Sequence, residues 1–126
     1  MGRVVLDSSV LIAVFYEGDK HYKSATSRLS GGDNEYFISA ITFAEALTHA
    51  YKRGDGDFMK VQILKSVEGV IEVSEEIAAR AAEVRAQTNL RLPDSLISAT
   101  ASYTAAELWT LDATLAKVHV GAVLLD

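Results

Sequence analysis

The sequence predicts an α/β protein, a three-layer α/β/α sandwich around a mostly parallel central sheet. Two observations carry this. Short apolar, β-branched runs alternate with longer stretches of helical spacing, an order that requires right-handed crossovers and a sheet covered on both faces. The short runs are also nearly continuous in apolar character, as central parallel strands must be when both their faces are buried. Composition agrees: of 126 residues 49% are hydrophobic and 23% charged, enough for a core of ordinary density. The expected radius of gyration is roughly 14 Å, and we read residues 1–126 as one domain.

The elements follow in order. Arg3 to Leu6 reads as the first strand, Tyr36 to Ile41 as the second and Val70 to Val73 as the third, with Leu108 to Leu111 and Ala122 to Leu125 as the last two. Apolar residues recurring at three and four positions place helices over Val10 to Glu17, Tyr22 to Leu29, Thr42 to Lys52, Asp57 to Val67, Glu75 to Thr88 and Pro93 to Ala105. Breaks fall at Gly31-Gly32-Asp33-Asn34, at Arg53-Gly54-Asp55-Gly56 and at Asn89 to Pro93. The single proline, Pro93, suits a first helical turn, where its missing N–H is not needed.

Composition excludes several function classes. The chain has no cysteine, which removes disulfide scaffolds, thiolate zinc sites and cysteine nucleophiles and leaves only metal sites of oxygen or imidazole. Seventeen acids against 12 Lys plus Arg give a net charge of −5, unlike a module that grips nucleic acid through a broad basic surface. A nucleic-acid enzyme remains open, because acids can gather in one metal pocket. The longest apolar run, Val10 to Tyr16, is too short to span a bilayer, and no signal-peptide pattern is read at the N-terminus. The expectation is a cytoplasmic protein without a membrane partner.

In parallel sheets ligands bind beyond the carboxyl ends of the strands. Asp7 ends the first predicted strand, Glu45 lies just inside the helix after the second, and Asp112 ends the fourth. Asp94 opens the Pro93 helix, at a position that spacing alone does not locate. Without these four, the remaining 13 acids nearly balance the 12 Lys plus Arg, so the acidity reads largely as a property of one site. Carboxylates converging within a few ångströms need bound cations or raised pKa values. Hard oxygen donors without cysteine or paired histidine favour Mg²⁺ or Mn²⁺ over Zn²⁺. Each acid also has a capping explanation: Asp7 before Ser8-Ser9, Glu45 in a Thr42-x-x-Glu45 capping box, Asp94 in a first turn, and Asp112 before a short helix through Lys117. Capping gives no reason for acids to recur at strand ends in this order.

Four segments resemble the motifs of a PIN domain, more narrowly those of a VapC-type toxin ribonuclease of a toxin-antitoxin pair. They are Val4-Val5-Leu6-Asp7-Ser8-Ser9-Val10-Leu11-Ile12-Ala13, Ser39-Ala40-Ile41-Thr42-Phe43-Ala44-Glu45-Ala46-Leu47, Leu92-Pro93-Asp94-Ser95-Leu96-Ile97-Ser98-Ala99-Thr100-Ala101, and Leu108-Trp109-Thr110-Leu111-Asp112. The resemblance implies a metal-dependent endoribonuclease in which Asp7, Glu45, Asp94 and Asp112 surround one or two Mg²⁺ or Mn²⁺ ions. It further implies 5′-phosphate and 3′-hydroxyl products, an RNA substrate, a homodimer, and a cognate antitoxin whose C-terminal segment covers the site. Thr110 matches the family hydroxyl that orients the first acid. Ser9 is a candidate for similar work, against the alternative of a helix cap. Leu111 and Leu115 depart from the family, which often has a polar residue and an aromatic there.

His49, one turn after Glu45, offers a Glu-His ligand pair. Asp55-Gly56-Asp57 reads as a turn and helix cap rather than a calcium loop. Lys20, Lys23, Lys52, Arg53, Arg91 and Lys117 are candidate phosphate contacts, and the Tyr16, Tyr22 and Tyr51 rings could stack on bases or lie in the core. Two other classes compete. One is a non-catalytic interaction module whose acids only cap helices. The other is a receiver-like phosphoacceptor domain, which lacks its paired acids here because Ser8-Ser9 follow Asp7. A haloacid-dehalogenase phosphatase fails similarly, with Ser9 where it needs a second Asp.

Overall fold

A computed structural model describes residues 2–125. Five parallel strands form one sheet: β1 (Arg3–Leu6), β2 (Glu35–Ser39), β3 (Gly69–Ile71), β4 (Glu107–Thr110) and β5 (Val123–Leu124). The order is β3-β2-β1-β4-β5. From β1 the chain runs outward to β2 and β3, then crosses back to β4 and β5 on the other side. Connections therefore diverge at β1, whose carboxyl end is the expected ligand position in an open parallel sheet.

Period-two alternation splits β1 between two cores. Val4 and Leu6 pack with Val10 and Leu11 of α1 (Ser8–Phe15), Ala46 of α3 (Ala40–Arg53) and Ile63 of α4 (Gly56–Ser66). Val5 faces the other way, against Ile97 and Ala101 of α6 (Leu92–Tyr103) and Leu115 of α7 (Ala113–Val118). Helix α5 (Glu75–Gln87) adds Ile77 and Ala81 against Ala99 of α6, and α2 (Tyr22–Ser30) follows α1. Val4, Val5 and Leu6 are all 1% exposed or less, as a central strand requires. Three layers result, as the alternation predicted.

Boundaries moved where side chains compete with apolar pattern. The apolar run through Ile41 reads as strand, but β2 stops at Ser39, whose hydroxyl accepts the Ile41 N–H and caps α3. Thr42 is thereby the third helical residue rather than the cap. Helix α3 ends at Gly54, where φ of 94° admits only glycine cheaply and lets its N–H reach the Ala50 and Tyr51 carbonyls. Asp55 precedes α4 without making a side-chain cap, contrary to the cap expected there. Beside it, Gly56 lies under the Tyr51 ring, and a Cβ there would meet the ring at 2.1 Å.

Candidate active site

Parallel register sets the first contact. Val5 pairs with Leu108 and Leu6 with Trp109, so the next residues, Asp7 and Thr110, lie side by side as the strands end. The Asp7 N–H continues the ladder to the Trp109 carbonyl at 3.0 Å. The Asp7 side chain, 4% exposed, makes no cap to α1. Its Oδ2 instead accepts from Thr110 Oγ1 at 2.8 Å and from Ser9 Oγ at 2.7 Å.

These two hydroxyls also grip the loop that follows β4. Thr110 Oγ1 accepts the Asp112 N–H at 2.9 Å, and Ser9 Oγ accepts the Leu111 N–H at 3.1 Å. Each hydroxyl thus donates to Asp7 and accepts from the backbone near Asp112, so buried Thr110 and half-buried Ser9 tie the two acids together. The cap role considered for Ser9 is not the one it plays. Leu111 packs against one core and Leu115 is fully buried in the other, so the apolar departures are accommodated by packing.

Glu45, half-buried in the second turn of α3, accepts a 2.5 Å hydrogen bond from Ser8 Oγ through Oε1. No capping box forms, since Ser39 is the cap. Asp112 is a cap: its Oδ1 accepts the N–H groups of Thr114 at 2.8 Å and Leu115 at 3.4 Å. Capping occupies one oxygen of Asp112.

Asp94 arrives through the direction of α6. The C-terminal end of that helix lies at the amino edge of the sheet, where Thr104 accepts from Arg3 Nη1, so its first turn lies at the carboxyl edge. Ile97 and Ala101 hold the helix on the sheet, and Asp94 lies one turn before Ile97. Its carboxyl is pushed above the usual carboxylate range, first by burial, then by the charge of Asp7, with Asp112 and Glu45 adding to the rise and Arg91 opposing it. Arg91 Nη2 stands 3.6 Å from Asp94 Oδ2, with an exposed side chain.

The four predicted acids therefore share one pocket of about 180 Å³, lined also by Ser8, Ser9, Ile12 and Arg91. They do not close a ready-made cage: among the described residues no group of three or more His, Asp or Glu is placed to hold a metal ion as the side chains stand. Each carboxylate is instead held by a neighbour, Glu45 by Ser8, Asp94 by Arg91 and Asp112 by the start of α7. The donor set still fits a hard divalent cation, being carboxylate oxygens crowded enough to disfavour ionisation of one member.

His49 does not join Glu45. Its ring packs edge-on to Tyr16 at 4.8 Å between centroids and lines a neighbouring cleft. Of the candidate cations, Arg91 lines the acidic pocket, Lys20 lines a cleft beside Asp112, and Arg53 lines the cleft of His49. Lys23, Lys52 and Lys117 are exposed and line none of these three. Tyr16 is buried, Tyr22 half-buried, and Tyr51 exposed with its hydroxyl donating to Asp57. Two site residues escaped sequence reasoning. Ser8 was legible only as a hydroxyl next to Asp7, and Ile12 only as one turn of helix beyond it.

Comparison with known proteins agrees with this architecture. Residues 4–120 match the PIN domain family. No curated protein sequence matches significantly. Among solved structures, the chain is similar to one in a toxin-antitoxin complex from Klebsiella pneumoniae, with 29% identity, TM-score 0.81, and 95% of each chain covered. It also superposes on Mycobacterium tuberculosis VapC20, a sarcin-ricin loop cleaving toxin, with 16% identity, TM-score 0.78, and 90% and 93% of the two chains covered. A third is VapBC-1 from nontypeable Haemophilus influenzae, at 18% identity, TM-score 0.74, and 98% and 97% covered. The last two share the fold. With the match running from β1 past α7, and the four acids gathered where the sheet diverges, this chain belongs to the PIN domain family.

Proposed function

We propose that this chain is a divalent-metal-dependent endoribonuclease, the toxin of a toxin-antitoxin pair, with the whole activity carried by one domain over residues 1–126. The observation that carries the reading is the convergence of Asp7, Glu45, Asp94 and Asp112 on one pocket, with the Asp94 carboxyl pushed up first by burial and then by the charge of the other three. The Klebsiella pneumoniae complex supports the toxin assignment, and the cleavage named for VapC20 supports the reaction class.

In this mechanism Asp7, Glu45, Asp94 and Asp112 hold one or two Mg²⁺ or Mn²⁺ ions. A bound cation of this kind lowers the pKa of water and offsets charge building on a phosphodiester. The chain's own groups do the positioning. Thr110 and Ser9 fix Asp7 through Oδ2, and Ser8 fixes Glu45 through Oε1. Whichever carboxylate oxygen of this set is not held to a cation would accept the proton of the attacking water. Arg91 at the rim contacts a phosphate oxygen of the RNA. The partners are RNA, a second copy of the chain in a homodimer, and an antitoxin that supplies a cationic side chain to the pocket. No described helix is long and apolar enough to cross a membrane, and the reading places the protein in the cytoplasm.

The competing reading, an interaction module whose acids are caps, is supported only at Asp112. Asp7 makes no side-chain cap, and Glu45 bonds to Ser8. The test is cleavage of RNA by the purified protein with Mn²⁺, and with EDTA. Loss of cleavage in EDTA and in folded Asp7→Asn is the expected result; full activity in either would remove the mechanism.

A further inference from the structure

The acidic pocket is one of three clefts that share Ile12 of α1. A cleft of about 330 Å³ shares Ser9 and Asp112 with it and reaches Lys20 and His21. That cleft also shares Asp19 with a larger one of about 630 Å³, between the end of α1 and the last turns of α3. That size is within the range of small-molecule sites. The larger cleft has no part in the mechanism above.

Its wall has a defined construction. Tyr16, 8% exposed, is fixed in the fold. The Arg53 guanidinium lies over its ring, 3.9 Å from the centroid, and the His49 ring meets it edge-on. Arg53 and His49 are themselves exposed, so a flat cation and an imidazole are held in place on a buried aromatic while staying open to the cleft they line. Unpaired RNA bases are bound by stacking on aromatic rings and arginine planes. The same cleft carries the carboxylates of Glu17 and Asp19. Asp19 Oδ1 accepts the His21 N–H at 2.8 Å. Guanine suits this set best: its N1–H and N2–H₂ donors match a carboxylate of Glu17 or Asp19, and its two-ring plane stacks on the Arg53 guanidinium. Uracil and cytosine offer less surface to stack, and adenine has no donor pair on its pairing edge.

We infer that the Tyr16–His49–Arg53 cleft receives an unpaired base next to the scissile phosphate, with guanine preferred, and so sets where the strand is cut. Arg53 and His49 are then specificity residues, acting on the bound strand rather than on the reacting atoms. The inference rests on the ribonuclease reading, and the experiment separates the two.

Short single-stranded RNAs that differ by A, C, G or U at each position around the cut, plus one abasic at the favoured position, are offered to the full chain and to R53A, H49A and E17Q. For the wild type, kcat/KM is expected to be about tenfold higher with guanine at one flanking position. R53A and H49A are expected to raise KM about tenfold, with the loss falling on KM, and to flatten the base preference. E17Q should weaken the guanine preference alone, and the abasic RNA should cost the wild type about what R53A costs it. Wild-type cleavage with unchanged KM and preference in R53A and H49A overturns the subsite, and leaves the cleft to another occupant such as a protein side chain. If the wild type cuts none of these RNAs, the catalytic reading is what fails. The cleft is then judged by fluorescence anisotropy of the same RNAs: guanine-selective binding lost in R53A supports it, and binding without base preference overturns it.

Discussion

The two ends of the same strands treat charge in opposite ways. At the amino edge, Arg3, Glu35 and Glu107 open β1, β2 and β4 in exposed or half-buried positions, with both signs present. Arg3 reaches the Thr104 carbonyl, and Glu107 accepts from the Trp109 indole N–H at 3.1 Å. At the carboxyl edge four carboxylates gather, with exposed Arg91 at their rim, and two of the acids, Asp7 and Asp94, are 4% and 9% exposed. Burying like charges together costs stability, whereas solvated mixed charge costs little. The carboxyl edge thus carries a cost that a cation, if bound there as proposed, would offset, and the amino edge carries none.

Neutral substitutions at the two ends should break that contrast most clearly. Asp94→Asn is expected to lower RNA cleavage about 10²–10⁴-fold while making the metal-free protein more stable by about 1 kcal/mol. Glu35→Gln, at the other end of the sheet, should leave cleavage unchanged and stability within about 0.5 kcal/mol. Cleavage assays and urea unfolding in EDTA read both.

A second pair compares buried hydroxyls. Thr110→Val removes a donor to Asp7 and strands the Asp112 N–H, and should cost about 1–3 kcal/mol and about 10–100-fold in activity. Thr42 is equally buried, but its hydroxyl has no partner among the described residues. Thr42→Val should therefore leave activity intact and be neutral or stabilising by up to about 1 kcal/mol. Equal effects of the two substitutions in chemical denaturation would remove the distinction between a working network and a spare hydroxyl.

Proton linkage sharpens it further. Because the folded Asp94 carboxyl holds its proton more tightly than the unfolded one, this group favours the fold at low pH. Its contribution declines as pH rises from about 4 through the raised folded value, and is absent above it. The stability gap between Asp94→Asn and wild type, in EDTA, should widen over that window. His119 acts with the opposite slope. Burial lowers its pKa, and its Nδ1 lies 2.6 Å from Ser98 Oγ. Its contribution is fully present above about 6.5 and is lost as pH falls through the lower folded value. His119→Gln should remove that acid-side loss in pH-dependent unfolding.

Much of this was legible in the sequence because strand periodicity and strand-end chemistry are local. Asp7 and Asp112 follow directly from where apolar runs stop, and the resemblance placed Thr110 beside Asp7 before register did. Other features depend on contacts far along the chain. Asp94 could not be located from spacing, because its position is set by the direction in which α6 lies on β1 and β4. The start of α3 was misplaced because Ile41 continues an apolar run, while the deciding event is one hydroxyl, Ser39, turning onto the Ile41 N–H. His49 looked like a partner for Glu45 from helical spacing, and Tyr16, just past the end of α1, took it instead.

On the proposed reading, four acids distant in sequence make one cation site. Melting temperature measured against Mn²⁺ concentration tests it most directly, because a ligand that binds only the folded state raises stability, by about 2.7 kcal/mol at a hundredfold excess over its Kd. The wild type should show a saturable rise, greatly reduced in Asp7→Asn and in Asp94→Asn. A flat wild-type curve, or the same rise in both variants, would contradict the account.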